Sequence, residues 1–317
     1  MIVTVTLNPA LDKTAMVDSL HSGALHRLRD VRLDAGGKGI NVSGIIHSLG
    51  GSSIAVGFAG GGSGEELLAL IARKGFKSDF VHIGGITRTN LKVLDPGGRL
   101  TEFNEPGPEI TTEEWQAMEA KLSGYGKEGT TVILSGSLPA GLDRAVYQKL
   151  SAMLRRSGAA VFLDADGESL RYALESPPAE IPDFIKPNRY ELCEYFGIKN
   201  GTDLTEAQLV ELCRSLIDRG IKLVALSMGE AGAVFVSTNG IWRAPAIKVA
   251  VRSTVGSGDS MTGALVYGFE QCLPDEQCFA LALAASAGAC TTEGTNPPGR
   301  ALIDELLAQV RIEKMVF

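Results

Sequence analysis

The sequence predicts an α/β fold, a three-layer sandwich with a mainly parallel central sheet, to which a small separate β-sheet is added. Three observations predict it. Short runs rich in β-branched residues alternate with longer stretches of helical periodicity. Two segments, 12–34 and 86–104, break that alternation and read as strands of their own. The composition, 44% hydrophobic and 21% charged over 317 residues, supports a sizeable buried core and argues against disorder.

The strands expected for the central sheet are 2–7, 53–58, 131–135, 160–164, 184–186, 223–227 and 233–237. Helices fall between many of them. At 205–219, Leu209, Leu212, Cys213 and Leu216 recur at helical spacing, and Thr205 with Gln208 forms a capping box. Thr111 with Glu114 is a similar start signal, and 275–290 and 300–311 also read as helices. Strand–helix alternation of this kind implies a sheet covered on both faces. Residues 12–34 are polar and alternating, and 86–104 read as a hairpin turning at Asp95-Pro96-Gly97-Gly98. A small sheet built from these two insertions suits a lid over a pocket. No internal repeat or low-complexity linker divides the chain, so one domain over 1–317 is expected. The 38 glycines suit many tight turns between strand and helix.

A net charge of -7 argues against a nucleic-acid binder, which normally shows a basic face, but leaves room for an anionic small substrate. The five cysteines, Cys193, Cys213, Cys272, Cys278 and Cys290, form no C-x-x-C pair and read as free thiols of a reducing compartment. Four histidines, none at metal-ligand spacing, make a zinc site improbable. The opening Ile2–Leu7 run shows no basic leader, and no apolar run is long enough for a membrane span; a cytoplasmic protein without membrane partners is expected.

Four segments carry candidate chemistry. Thr254-Val255-Gly256-Ser257-Gly258-Asp259-Ser260 opens a helix marked by Met261, Leu265 and Phe269. A glycine-rich helix start offers free N–H groups and a positive dipole end to phosphate oxygens. Asp259 there either caps the helix or takes a proton from an attacking hydroxyl while the N–H groups of 256–258 hold the γ-phosphate. Gly36-Gly37-Lys38-Gly39-Ile40-Asn41 precedes a helix with Val42, Ile45, Ile46 and Leu49. It is not a Walker A loop, because Gly39 follows Lys38. It is either a plain turn with an exposed lysine or a place where two glycines admit a sugar to the backbone beside Lys38 and Asn41.

Asn8-Pro9-Ala10-Leu11-Asp12 follows the first strand, where open α/β sheets bind ligands. Asp12 either holds sugar hydroxyls or is a turn residue. In Lys186-Pro187-Asn188-Arg189-Tyr190-Glu191, Asn188 and Glu191 share one side of a starting helix, where Glu191 also complements the helix dipole. The loop Ser227-Met228-Gly229-Glu230-Ala231-Gly232 ends a strand and suits a nucleotide contact or simple loop geometry. The glycines at 57–64 do not fit G-x-G-x-x-G, which disfavours a dinucleotide site.

Taken together, GGKGIN at 36–41 and TVGSGDSM at 254–261 resemble the two signatures of the ribokinase-like (PfkB) carbohydrate kinases. NPALD at 8–12, TRTN at 87–90, SGSLP at 135–139, KPN-x-x-E at 186–191 and SMGEAG at 227–232 extend the resemblance over the whole chain. It implies a ribokinase-like fold with a small β-sheet lid, ATP and Mg²⁺ as cofactors, small-molecule substrates, and a homodimer formed through the lid. It further implies Asp259 as base and Gly256, Ser257 and Gly258 as anion hole. Asn188 and Glu191 would place Mg²⁺ and the phosphates, often through water, and Ser227, Gly229 and Gly232 would lie near the nucleotide. TLNPALD, Arg27, TRTN and SGSLP are most similar to the branch acting on sugar phosphates. That branch implies Arg27, Lys38, Arg88 and Ser137 on the phosphate already carried by the substrate, with Asp12, Gly36, Gly37 and Asn41 orienting the sugar. The reaction so implied is phosphorylation of fructose 1-phosphate to the 1,6-bisphosphate. The alternatives are tagatose 6-phosphate as acceptor or, further off, a non-catalytic sugar-phosphate sensor. Ser253-Thr254 stands where many members carry Asp-Thr, an aspartate that helps bind a monovalent cation.

Overall fold

A computed structural model describes residues 1–199 and 201–315. Its large sheet has eleven strands. The parallel part runs from β1 (Ile2–Thr6) through β4 (Ser53–Ala59) to β5 (Lys77–Ser78) on one side. On the other side it passes through β9 (Thr131–Ser135), β10 (Ala160–Asp164) and β11 (Phe184–Ile185) to β12 (Leu223–Ser227). Short β6 (Val81–His82) also pairs with β4. Three antiparallel strands, β13 (Ala233–Ser237), β14 (Gly240–Ala244) and β15 (Glu313–Met315), complete the far edge.

Strand alternation divides the core into two layers. Val3, Val5, Val132 and Leu134 point to one face. There they pack on α3 (Thr112–Tyr125), α4 (Val146–Arg156), α5 (Gly167–Leu174), α6 (Arg189–Tyr195) and α7 (Glu206–Asp218), through side chains such as Met118, Tyr147, Leu170, Leu192 and Leu216. Ile2, Ile133, Phe162 and Phe235 point to the other face. They meet α1 (Lys38–Ser48), α8 (Ser257–Glu270), α9 (Asp275–Thr291) and α10 (Arg300–Leu307) through Ile45, Leu265, Phe279 and Ile303. A third, smaller cluster seats α2 (Gly61–Arg73) by Leu67 and Ile71. The capping boxes of Thr111 with Glu114 and Thr205 with Gln208 are both formed.

A second sheet has four strands in the order β3 (Arg29–Gly36), β2 (Ala10–Met16), β7 (Arg88–Leu94), β8 (Leu100–Asn104). Its hairpin turns at Asp95, whose carboxylate accepts from Arg99 N–H at 3.0 Å. The register sorts its residues by face. Asp34, Asp12 and Asn90 form one cross-strand row, and Leu33, Lys13, Leu91 and Phe103 the next. The first row is turned inward: Asp12 is buried and Asp34 nearly so. The second lies on the open face with Val31 and Phe103 exposed.

Two expectations shift, and some short strands were not expected. The helix expected over 300–311 stops at Leu307, because the chain turns at Gln309 and Val310 to bring β15 beside β14. The strand expected to reach residue 186 ends at Ile185, so that Lys186 leaves the ladder ahead of Pro187. Segments too short for a visible period, β5, β6 and β15, escape the pattern reading altogether. No helix among the described residues is long and apolar enough to cross a membrane.

Candidate active site

The parallel strands end together in one polar row. Thr6 of β1 is in register with Ser135 of β9, and Ser135 with Asp164 of β10. Asn8, Ser137 and Lys186 follow just beyond those ends, where helix starts and loops converge. The small sheet stands over this edge, with Arg88 at its base donating to Asn8 carbonyl at 3.0 Å.

At one end lies the start of α8. Gly256 caps it in the left-handed region, φ 80, with no side-chain cap. The Ser257 N–H turns back to Thr254 carbonyl at 3.3 Å, so among the described residues the free donors are those of Gly256, Gly258 and Asp259, and Ser257 drops out of the expected 256–258 set. Asp259 does not cap its own helix. Its carboxylate is buried and accepts from Asn41 Nδ2 at 2.8 Å. Burial first, then the neighbouring charge of Asp164, push its pKa up to about 6, against the pull of Asn41, Lys38 and Lys186. Lys38 is not a free surface lysine: its Nζ lies 3.2 Å from Asp164 Oδ1, and that carboxylate holds its pKa far above the ordinary range.

At the other end, Asp12 is gripped at both oxygens, by Lys92 Nζ at 2.7 Å and Asn90 Nδ2 at 3.1 Å. Gly36 makes that grip possible. A Cβ there would fall 2.5 Å from the Asp12 carboxyl carbon. Gly37 is held at φ 130, and its Cβ would strike Thr6. The two glycines therefore admit Asp12 and β1, not only a ligand. Arg88 donates to the carbonyls of Glu105 and Asn8 at 3.0 Å each and reaches Ser137 Oγ at 3.5 Å; burial lowers its pKa. Asn8 Nδ2 donates to Pro106 carbonyl at 3.0 Å and approaches Ser137 Oγ at 3.4 Å. Among the described residues, Asn8 Oδ1, Asn41 Oδ1, Asn90 Oδ1 and Arg88 Nε are buried without a hydrogen-bond partner. Buried polar atoms rarely go unpaired, so those of Asn41, Asn90 and Arg88 are candidates for ligand contacts.

On the third side, Asn188 caps α6 in a reciprocal box: Glu191 N–H donates to Asn188 Oδ1 at 2.9 Å and Asn188 N–H to Glu191 Oε2 at 2.8 Å. Glu191 is partly buried, which raises its pKa. Ser227 N–H donates to Pro187 carbonyl at 3.0 Å, placing the β12 loop beside this helix start. Gly229 turns at φ 57 in the open, whereas Gly232 is needed for packing, since its Cβ would sit 2.0 Å from Ala244 carbonyl oxygen.

The structure therefore brings together Asp12, Gly36, Gly37, Arg88 and Ser137 on one side and Asn41 and Lys38 with Gly256–Asp259 on the other. It does not bring in Arg27, which is exposed on the β2–β3 loop without a hydrogen bond or ion pair among the described residues. Sequence reasoning assigned no role to Asn8, Asn90, Lys92, Asp164 or Lys186. Asn90 and Lys92 were findable from strand alternation, two and four residues past Arg88. Asp164 was findable as the last residue of an expected strand. Among the described residues no group of three or more His, Cys, Asp or Glu is placed to hold a metal.

Residues 5–301 match the model of the pfkB family carbohydrate kinases. A 1-phosphofructokinase of Xanthomonas campestris pv. campestris is 39% identical over 286 residues, 90% of this chain and 89% of that protein. A 1-phosphofructokinase of Borreliella burgdorferi is 33% identical, covering 99% of this chain and 98% of its own length. Among solved structures, phosphofructokinase-2 of Escherichia coli in complex with substrates and products superposes with a TM-score of 0.91 at 27% identity, covering 97% and 98% of the two chains.

Proposed function

We propose a reaction from the premise that this chain belongs to the pfkB family of carbohydrate kinases. It is a sugar kinase, passing a phosphoryl group to a hydroxyl, and the family implies ATP as its co-substrate. The acceptor is fructose 1-phosphate and the product fructose 1,6-bisphosphate. One observation carries the choice of a phosphorylated sugar: the cleft has a buried carboxylate beside free N–H groups at one end and the Arg88–Ser137 pair at the other. That suits a substrate with a reactive hydroxyl at one end and a dianion at the other. Identity to 1-phosphofructokinases favours fructose 1-phosphate over tagatose 6-phosphate.

Asp12, braced by Lys92 and Asn90, accepts from sugar hydroxyls, while Asn90 presents an amide oxygen unpartnered among the described residues beside it and Asn41 another beside Asp259. Arg88 and Ser137 hold the existing phosphate. Asp259 takes the proton of the C6 hydroxyl as its oxygen attacks the γ-phosphorus, and the bond to ADP breaks. Gly256, Ser257 and Gly258 frame the hole that receives the transferring group, through the N–H groups of Gly256 and Gly258. Ser227, Gly229 and Gly232 shape the nucleotide side. The residues present fit magnesium in one way only. Glu191 keeps one carboxylate oxygen without a hydrogen bond among the described residues, so with Asn188 it would hold a hydrated magnesium ion. Such an ion would supply charge neutralisation for the phosphates.

The small sheet acts as a lid, from about 12–34 and 86–104, that excludes water when sugar is bound. Its open face carries Val31, Leu33 and Phe103, exposed at 50%, 40% and 53%. A second copy of the chain covers that face in a homodimer, which also accounts for Leu25 and Leu28 on the adjoining loop. Arg27 lies between these two leucines and joins the site only in that assembly.

A coupled ADP-release assay tests the reading. Fructose 1-phosphate should give the highest kcat/KM among fructose 1-phosphate, fructose 6-phosphate, tagatose 6-phosphate and free fructose. A preference for tagatose 6-phosphate would reassign the acceptor, and no turnover with any of the four would reject the kinase reading.

A further inference from the structure

We propose that Asp164 is a positioning residue of the transfer, clamping the ammonium groups of Lys38 and Lys186 where they face the reacting end of the cleft. The proposal rests on the kinase reading above. Asp164 ends β10 and is 2% exposed. One of its oxygens lies 3.2 Å from Lys38 Nζ, the other 3.5 Å from Lys186 Nζ and 3.4 Å from Thr262 Oγ1. The two lysines come from different elements. Lys38 opens α1, one turn before Asn41, whose amide binds Asp259. Lys186 follows β11, and its Nζ stands 3.0 Å from where a Cβ on Gly258 would lie, against the anion-hole backbone.

Structural need does not explain this arrangement. Lys186 and Asp164 are both buried, and a buried ion cluster is seldom more stable than apolar residues of the same volume. A role in charge placement does explain it. With Asp164 and Asp259 ionised, two carboxylates balance two ammonium groups. The lysines can then meet an incoming phosphoryl group without pairing directly to the base. Burial would otherwise favour a neutral Asp164, but Lys186 and Lys38 more than offset this and hold its pKa below the ordinary range.

The charged and titratable groups around Asp259 are Asp164 from β10, Lys38 from α1 and Lys186 from the end of β11, with Asn41 as neutral donor. Of the two carboxylate–lysine influences, Asp164 raises the pKa of Asp259 and the lysines lower it. Two variants therefore move the acid limb of the kcat/KM–pH profile in opposite directions. Asp164→Asn keeps the shape, removes the raising charge, and should shift the limb to lower pH. It should also lower the plateau kcat roughly ten- to a hundred-fold as the lysines lose their clamp. Lys186→Met removes a lowering charge and should shift the limb to higher pH, and it serves as the test if Asp164→Asn does not fold.

The wild-type profile is the reference, and absence of turnover there counts against the kinase reading rather than against Asp164. A fall in kcat with an unmoved limb in Asp164→Asn reduces Asp164 to a structural residue and overturns the proposal, as does unchanged kcat. Recovery of that variant by raised magnesium also overturns it, since Asp164 would then act on the metal. An unmoved limb in Lys186→Met overturns it as well.

Discussion

The two ends of the cleft hold buried carboxylates in contrasting ways. Asp259 stands at the third residue of a helix anchored in the main core, accepts from one neutral amide, and is left basic, with its pKa up to about 6. Asp12 stands mid-strand in the small sheet and is tied at 2.7 Å to an ammonium and at 3.1 Å to an amide. The first carboxylate is kept ready to accept a proton. The second has its lone pairs directed by two donors, which suits it to orient hydroxyls. The supports differ too. The large sheet is covered on both faces, whereas the small sheet is covered on its inner face and open on the other. Chemistry at one end therefore draws on a sheet covered on both faces, and recognition at the other on a sheet covered on one.

Substitutions at each end sharpen that contrast. The largest effect is expected for Asp259→Asn, which should lower kcat about 10²–10⁴-fold while leaving the thermal midpoint and the KM for sugar phosphate nearly unchanged. Steady-state ADP release and thermal unfolding decide it, and a variant with near-normal kcat would remove Asp259 from the role of base. In the wild type, kcat/KM should fall as pH drops through about 6, because only the ionised carboxylate accepts the proton. Gly36→Ala comes next. Its Cβ would lie 2.5–2.7 Å from Asp12 atoms already held on both sides, so the carboxylate must shift. Displacement of that size should cost about 10²-fold in kcat/KM, read in the same assay with fructose 1-phosphate; an undiminished value would show that Asp12 does not orient the sugar.

Arg88→Ala should raise the KM for fructose 1-phosphate roughly ten- to a hundred-fold, as losing a charged hydrogen bond costs about 1.5–3 kcal/mol. Its kcat should change far less, and free fructose should lose nothing. Equal losses with both sugars would place the anion elsewhere. The smallest catalytic effect belongs to the open face. Leu33→Asp should weaken self-association, seen as a lower sedimentation coefficient, with the intrinsic chemistry of Asp259 preserved. A wild-type chain already monomeric at micromolar concentration would end the dimer proposal.

Much of the molecule was legible in the sequence because its signals are local. Strand runs such as Ile2–Thr6 and Ala160–Asp164, the capping boxes of Thr111 and Thr205, and the hairpin at Asp95 each depend on residues a few positions apart. The glycine motifs were also visible, but part of their reason was not. Gly36 is small because Asp12, across a strand pair, needs its space, and Gly232 because Ala244 does. Neither neighbour is close in sequence.

By itself the sequence determined the main strands from Ile2–Thr6 to Ala233–Ser237, though not β5, β6, β14 or β15, that a helix would open at Gly256–Asp259, and that two insertions would stand apart from the main alternation. Periodicity, caps and turn residues act over one or two turns of chain, so they can be read from it directly. Tertiary structure alone decided that Asp259 would face Asn41 instead of capping its helix, that Lys92 would brace Asp12, and that Asp164 would stand between two lysines 126 and 22 residues away in the chain. Those outcomes depend on which strand ends meet at one edge of the sheet. Charge pairing and burial there arise from distances in space that no local pattern records.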